Sequence, residues 1–229
     1  MDTEHNHSAT SASAAKESMF PLIRLVSRPM AIALARTPVT PNAVTITGIA
    51  CGLGAAWCFL HQGLEWGGIG AVLFFVSYLL DNVDGDLARL KKMSSRFGAA
   101  LDDIGDWLVH FAFFLAVGYQ MTQTTGQPLW AWLGVAAALG GTINSVLPLF
   151  QRATPDAEEV ASFADMAADA SWLDLVGFFF RGLVKADFWL IVLGLALADM
   201  LWVLLPAAAI GAQVFWMLML RKSLRTIHT

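Results

Sequence analysis

The sequence predicts an all-α integral membrane protein with six transmembrane helices and an N-terminal amphipathic helix that lies on the membrane surface. The chain of 229 residues is 57% hydrophobic and only 14% charged, and its mean hydropathy is +0.60. A soluble domain usually carries about 25% charged residues. Several apolar runs approach the roughly 20 residues that a helix needs to cross the hydrocarbon core. This composition argues against an ordinary soluble domain, and we expect no nucleic-acid partner.

The chain divides into a polar tail and one membrane domain. Residues 1–17 are rich in Ser, Ala and His and lack the apolar core of a secretory signal, so we expect a disordered cytosolic tail. Residues 18–225 form the predicted membrane domain. It opens with "SMFPLIRLVSRPMAIALAR", whose apolar residues at helical spacing and three arginines are typical of an interfacial helix. Residues 153–170 are acidic and rich in alanine, which is typical of an exposed linker with some helix.

The predicted spans and their orientation follow from the apolar runs and the basic residues. The spans cover residues 43–61, 67–88, 98–120, 128–150, 186–204 and 205–220. We expect the turn between the last two at Leu205–Pro206, because proline disfavours continuation of a helix. Lys and Arg lie before the first span, in alternate connections and after the last span, whereas "HQGLEWGG" and "QMTQTTGQP" contain none. The positive-inside rule therefore predicts that both termini are cytosolic.

Aspartates are concentrated where the second predicted span ends and the third begins. Asp81 and Asp84 share one helical face, since they are three residues apart. Asp102 and Asp106 are four residues apart and share a face of the next helix. The loop between is short and basic, so we expect antiparallel neighbouring helices whose four carboxylates converge in one pocket at the cytosolic end. By the same geometry Asp86 and Asp103 point elsewhere, towards solvent or the loop.

Converging carboxylates repel each other unless a cation neutralises them. Oxygen ligands suit Mg²⁺, Mn²⁺ or Ca²⁺, and no Cys or His is placed for zinc. Gly85 and Gly98 make room for a ligand or a neighbouring helix. Arg89 beside the acidic pocket favours a phosphate-rich substrate, and Asp106, the aspartate deepest from the cytosol, is the candidate general base. The alternative interpretation is an acidic, solvated helix end.

This stretch resembles the signature of the CDP-alcohol phosphotransferase family, D-x-x-D-G-x-x-A-R, eight residues, then G-x-x-x-D-x-x-x-D. All the fixed positions match, and they are Asp81, Asp84, Gly85, Ala88, Arg89, Gly98, Asp102 and Asp106. The family also tends to carry Pro-Asn-x-x-Thr before its first span. Here Pro41, Asn42 and Thr45 match it in "TPNAVT", although that pattern alone could be an ordinary helix start.

The resemblance implies transfer of a substituted phosphate from a CDP-linked donor to an alcohol, with release of CMP. It implies two Mg²⁺ or Mn²⁺ ions held by the aspartates, with Asp106 acting as base and ligand. It places cytidine diphosphate against the residues shared with the family outside the aspartates, which are Pro41, Asn42, Thr45, Gly85, Ala88, Arg89 and Gly98. It further implies a multi-pass protein of a bacterial inner membrane with a cytosolic active site, commonly as a homodimer.

The acceptor is less well defined by the sequence. Arg152, Arg181 and Lys185 lie on the predicted cytosolic side and could surround a phosphorylated acceptor such as glycerol 3-phosphate or inositol phosphate. Alternatively they only anchor the protein at the membrane surface. His110, four residues after Asp106, could tune that aspartate or contact the acceptor, or be a buried, hydrogen-bonded histidine.

Two other functions stay open at this stage. In the first, CDP-choline or CDP-ethanolamine would donate to a lipid alcohol, instead of CDP-diacylglycerol donating to a small alcohol. In the second, the chain would be a divalent-cation transporter that uses the same carboxylates. A transporter needs polar groups through the bilayer depth, whereas "GAVLFFVSY" and "LVHFAFFLAVGY" in the outer halves of spans two and three are apolar.

Overall fold

The fold, taken from a computed structural model that describes residues 21–151 and 188–227, is built from α-helices. The helices in chain order are α1 Pro21–Ala35, α2 Pro41–Cys58, α3 Leu64–Lys91, α4 Arg96–Thr125, α5 Leu129–Gln151, α6 Phe188–Leu197 and α7 Leu204–Ile227, with a short 3₁₀ turn at Leu201–Val203 before α7. No strand occurs in these two ranges. The prediction of an all-α protein is therefore confirmed for this part of the chain.

The predicted span boundaries agree with α2 to α5 within a few residues, but the predicted turn at Leu205–Pro206 is wrong. The chain turns earlier, where Asp199 has a positive φ of 55° and the amide of Met200 donates to the carbonyl of Leu195 at 2.7 Å. Pro206 lies in the first turn of α7. Proline is tolerated there because the first amides of a helix have no intrahelical acceptor.

The N-terminal helix α1 packs against α3 and leaves another apolar face uncovered. Its residues Ile23, Ser27 and Ala31, at a spacing of four, are buried. Leu25 and Val26 are 70% and 50% exposed. An apolar face that no described residue covers is what an interfacial helix requires. The predicted tail at 1–17 and the predicted linker at 153–170 lie outside the described residues.

Helix α2 is the centre of the site-bearing half of the fold, since it packs against both α3 and α4. Helices α3 and α4 are antiparallel neighbours, as expected, but their backbones make few direct contacts with one another. Side chains span the space between them, as where the rings of Phe74 and Phe113 lie 5.2 Å apart. The two acidic helices therefore flank a gap with α2 alongside it.

Small residues set the closest helix crossings. A Cβ placed on Gly118 of α4 would lie 2.9 Å from the carbonyl oxygen of Trp130 and 3.0 Å from Cα of Gly134, both on α5. A Cβ on Gly105 would overlap the side chain of Ile49 on α2. These glycines let α5 and α2 approach α4 closely. Gly105 thereby holds α4 against α2 one residue before Asp106.

Apolar packing fills the half of α3 and α4 that lies away from the aspartates. Phe59, Phe74, Phe113 and Val117 are all nearly inaccessible within one cluster. Two stretches, Leu64–Lys91 and Leu129–Val146, are long and apolar enough to cross a membrane by length and composition. The helical stretches Phe188–Leu197 and Leu201–Met217 are apolar but shorter.

Candidate active site

The turn between α3 and α4 brings the two halves of the aspartate signature together. Helix α3 is capped at its C-terminus by Lys92, which has a left-handed φ of 56°, and the amide of Met93 donates to the carbonyl of Ala88 at 2.9 Å. Ser95 then caps α4, because its hydroxyl accepts a hydrogen bond from the amide of Gly98 at 3.0 Å. The intervening residues are few, so the end of α3 and the start of α4 stay at the same end of the fold.

The carboxyl groups of the two helices meet across the gap. Those of Asp81 and Asp102 lie within hydrogen-bonding range of each other, and Asp84 and Asp106 are close enough to interact with them electrostatically. Asp84 is only 5% exposed and accepts a hydrogen bond from the hydroxyl of Thr45 on α2. The same hydroxyl is 3.2 Å from the carbonyl of Pro41. The four carboxyl groups thus lie near one another, although only those of Asp84 and Asp102 line the cavity described below.

Asp106 differs from the other aspartates in its partner. Its Oδ1 lies 3.2 Å from Nδ1 of His110, which is also 2.8 Å from the backbone carbonyl of Asp106. The His110 ring is held by Phe74 and Phe188, at centroid distances of 5.9 and 5.7 Å. The histidine therefore contacts the aspartate, as one of the interpretations of the sequence had it.

The oxygen donors fit a hard divalent cation by their chemistry. Two carboxyl groups that face each other, as those of Asp81 and Asp102 do, repel when ionised, and a cation between them would remove the repulsion. As they stand, however, no three acidic, histidine or cysteine side chains among the described residues enclose a single metal position.

Next to the carboxylates lies a cavity of about 180 Å³ between α2, α3 and α4. Every residue expected to bind cytidine diphosphate lines it, namely Pro41, Asn42, Thr45, Gly85, Ala88, Arg89 and Gly98, and Asp84 and Asp102 do so as well. Sequence reasoning missed Met93, Ser94, Ser95 and Ala99, which also line it. For Met93, Ser94 and Ser95 the signal was their position between the two halves of the signature, because that loop must close one side of a pocket formed by both halves, whereas Ala99 follows Gly98 on α4.

The start of α2 is both an ordinary helix start and a wall of this cavity. Thr40 is the N-cap, with its hydroxyl accepting from the amide of Ala43 at 3.3 Å, and Pro41 begins the helix. Asn42 faces α4, and a Cβ on Gly98 would lie 3.0 Å from its Oδ1. Gly98 therefore makes room for Asn42, whereas a Cβ on Gly85 would meet only the Arg89 side chain, at 3.6 Å.

The remaining charged residues of the signature stretch are either part of an ion pair or exposed. Asp86, expected to face solvent or the loop, forms an ion pair with Arg89 at 2.6 Å. Asp103 is exposed, as expected. The Arg89 side chain is 64% exposed, so a ligand in the cavity could take its guanidinium with little rearrangement.

The predicted acceptor residues Arg152, Arg181 and Lys185 lie outside the described residues. Of the polar residues in α5, Asn144 donates to the carbonyl of Ala212 on α7 at 3.3 Å. Ser145 donates to the carbonyl of Gly141 within its own helix. Both are therefore placed as structural hydrogen-bonding groups.

Comparison with known proteins matches this architecture to characterised relatives. Phosphatidylinositol phosphate synthase of Mycobacteroides abscessus is 34% identical over 149 residues, which cover 65% of this chain and 59% of the relative. A bifunctional IPC transferase and DIPP synthase of Thermococcus kodakarensis is 33% identical over 47% of this chain and 23% of its own length. The match thus spans well under two thirds of each of these relatives.

Solved structures share the fold. Crystal structures of Mycobacterium tuberculosis phosphatidylinositol phosphate synthase, one with CDP-DAG bound and one in complex with manganese and citrate, superpose with a TM-score of 0.54 in each case. Their identities are 22% and 23%, and the superpositions cover 82% and 83% of this chain and 89% of each of those chains. The family described as CDP-alcohol phosphatidyltransferase matches residues 38–157, which contain the whole signature and the cavity. The chain therefore belongs to the CDP-alcohol phosphatidyltransferase family.

Proposed function

We propose that this protein transfers a phosphatidyl group from CDP-diacylglycerol to a hydroxyl group of a small phosphorylated polyol, and that CMP is released. The observation that carries the proposal is the cavity between α2, α3 and α4, which lies beside the aspartates and is lined by every residue expected to bind cytidine diphosphate. Inositol phosphate is the favoured acceptor, because several relatives are named phosphatidylinositol phosphate synthases.

The donor would bind with its cytidine diphosphate in the cavity. Asn42 and Thr45 supply polar groups at the start of α2, and Gly85 leaves the surface of α3 open to a phosphate. Arg89 would exchange its ion pair with Asp86 for a diphosphate oxygen, for which its guanidinium is suited. Asp84 and Asp102 line the same cavity and so would face the diphosphate.

Two Mg²⁺ or Mn²⁺ ions would be held by Asp81, Asp84, Asp102 and Asp106. Bound there, the ions would neutralise the diphosphate and polarise the reacting phosphoryl group. The manganese complex of the M. tuberculosis enzyme is consistent with this choice of metal for the fold. The carboxyl groups of Asp81 and Asp102, which lie within hydrogen-bonding range of each other, support a shared ligand between them.

Asp106 would act as the general base. Its carboxylate accepts the proton of the acceptor hydroxyl while the oxygen forms a bond to the phosphorus that carries diacylglycerol. The bond from that phosphorus to the oxygen bridging to CMP breaks, and its electron pair leaves with CMP. His110, which contacts Oδ1 of Asp106, orients the carboxylate for this step.

Arg152, Arg181 and Lys185 would surround the phosphate of the acceptor, as cationic side chains on the side of the membrane that holds the aspartates. We infer six transmembrane helices, cytosolic termini and a cytosolic active site from the distribution of Lys and Arg. A bacterial inner membrane and a homodimer are the setting that the family resemblance favours.

The test is CMP release by the purified protein in detergent with CDP-diacylglycerol and Mg²⁺ or Mn²⁺. Inositol 1-phosphate, glycerol 3-phosphate, inositol and serine are supplied one at a time. Release with inositol 1-phosphate and not with inositol supports the proposal, provided that Asp106→Asn abolishes it. Asp103→Asn, which changes an exposed neighbouring carboxylate outside the cavity, is the matched control and should retain activity. Release with CDP-choline and diacylglycerol instead would replace the proposed donor and acceptor.

A further inference from the structure

Lys91, the last residue of α3, connects the end of that helix to a segment far earlier in the chain. Its ammonium group donates hydrogen bonds to the backbone carbonyls of Thr37 at 2.7 Å and Val39 at 2.6 Å. Both carbonyls belong to the connection between α1 and α2, more than fifty residues earlier in the chain. Hydrogen bonds from a charged donor are roughly twice as strong as those between neutral groups.

The two segments that Lys91 joins each adjoin residues that line the cavity. Val39 leads directly into the Thr40 cap and into Pro41 and Asn42, which line it. On the other side, Ala88 and Arg89 line the cavity one turn before Lys91 on the same helix. The lysine therefore ties the backbone just before α2 to the end of α3, beside the packing of the two helices.

The other hydrogen bonds of the α1–α2 connection are local, and Val39 packs against the apolar cluster that includes Leu80 and Val83 of α3. The hydroxyl of Thr37 donates to the carbonyl of Leu34 and accepts from the amide of Val39. These bonds shape the turn itself, whereas the two bonds from Lys91 tie the backbone of the turn to the end of α3. Thr37 is exposed, so burial contributes little to holding it in place.

We propose that Lys91 is a positioning residue for donor binding, which acts by holding the α1–α2 connection so that Pro41 and Asn42 face the nucleotide. It is not among the residues that line the cavity, so it acts through the connection and not by touching the donor. The inference rests on the proposed function, because the cavity is taken to bind the cytidine diphosphate. In the sequence, Lys91 is only one of several basic residues on the predicted cytosolic side. Its hydrogen bonds to the carbonyls of Thr37 and Val39 are what distinguish it from the others.

The test compares Lys91→Met with Lys92→Met in the full-length protein in detergent. Lys92 is the exposed neighbour, so its replacement changes the net charge equally and controls for general electrostatics. We expect Lys91→Met to raise the KM for CDP-diacylglycerol about tenfold, with kcat and the acceptor KM changed by no more than about twofold. Lys91→Arg should recover part of the donor affinity, since a guanidinium can donate to both carbonyls.

Hydrogen exchange gives a second readout that does not depend on turnover. In Lys91→Met, the backbone N–H groups within residues 36–43 should exchange faster than in the wild type and in Lys92→Met. The N–H groups of the apolar cluster should exchange at the same rate in all three proteins. An unchanged donor KM together with unchanged exchange would overturn the inference, as would equal effects in the two lysine variants. If the wild type binds no CDP-diacylglycerol, the proposed function fails, and faster exchange in Lys91→Met would then show the contact without a role in donor binding.

Discussion

The hydroxyl of Thr45 on α2 donates a hydrogen bond to the buried carboxylate of Asp84 on α3. Both residues also line the cavity, so this bond connects the wall formed by α2 to the aspartate pair on α3. A buried carboxylate needs hydrogen-bond donors or a cation, because leaving a buried ion unpaired costs roughly several kcal/mol. Thr45 therefore helps to hold Asp84 ready for a metal ion.

Replacing Thr45 should remove the hydrogen bond between α2 and Asp84 of α3. We expect Thr45→Val, which keeps the shape but removes the hydroxyl, to lower kcat/KM at least about tenfold, because an unsatisfied buried acceptor costs about 1–3 kcal/mol. Thr45→Ser should keep most activity. Thr47→Val is the matched control, since Thr47 is exposed and its hydroxyl bonds only to the carbonyl of Ala43 in its own helix, at 2.8 Å. Equal activity of Thr45→Val and Thr47→Val would contradict this role.

The contact between His110 and Asp106 predicts a difference between two histidine variants. His110→Phe keeps the aromatic packing against Phe74 and Phe188 but removes the donor beside Oδ1 of Asp106. We expect it to lower kcat about tenfold with an unchanged donor KM, since only the base is misoriented. His110→Asn can place an amide N–H near the position of Nδ1 and should retain more activity. A His110→Phe enzyme as active as the wild type would show that orientation of Asp106 does not need the histidine.

Divalent cation binding can be measured apart from turnover. We expect Mn²⁺ to bind the purified protein, as followed by its electron paramagnetic resonance signal, and Asp81→Asn to weaken that binding at least about tenfold. Asp103→Asn should bind Mn²⁺ as the wild type does. Chelation with EDTA should abolish CMP release and added Mg²⁺ or Mn²⁺ restore it. Activity that persists after chelation would remove the metal from the proposed chemistry.

The crossing of α4 and α5 predicts a stability effect away from the cavity. Gly118→Ala would bring Cβ to 2.9 Å from the carbonyl oxygen of Trp130, so the helices must separate. We expect it to lower the free energy of unfolding in detergent by about 1–3 kcal/mol. Gly141→Ala is the control, because a Cβ there meets nothing within 4 Å. A thermal midpoint for Gly118→Ala equal to that of Gly141→Ala would contradict the close crossing.

Much of the site could be predicted from the sequence because it depends on local spacing. Periodicity places Asp81 with Asp84 and Asp102 with Asp106, and the structure brings these pairs together. The spacing could not show that α2 packs against both helices, because a periodic pattern identifies the buried face of a helix but not its neighbour. The spacing of four residues identified His110 as a possible partner of Asp106. It could not show whether the histidine contacts the aspartate or is only a buried, hydrogen-bonded residue.

Two features of the structure could not be predicted from the local sequence pattern. Lys91 has the same sequence context as other basic residues near the membrane, and only the fold brings it to the carbonyls of Thr37 and Val39. Pro206 is compatible with the first turn of a helix as well as with a helix break, and its position alone does not show which of the two occurs.

The apolar packing beside the aspartates bears on the cation-transport alternative. Beyond His110, the rings of Phe74 and Phe113 and the side chain of Val117 occupy the space between the helices. A cation path through the described helices would have to cross this packed cluster, where no carboxylate lies. Metal flux into sealed vesicles in the absence of nucleotide would nevertheless establish transport.

The most direct test of the central claim is ³¹P NMR of CDP-diacylglycerol incubated with the purified protein, Mn²⁺-free Mg²⁺ buffer and inositol 1-phosphate. The account predicts that the diphosphate signals disappear while CMP and a lipid phosphodiester form in equal amounts, and that Asp106→Asn leaves the spectrum unchanged. Formation of CMP with phosphatidic acid, whether or not the acceptor is present, would contradict it, because water and not an alcohol would then be the acceptor.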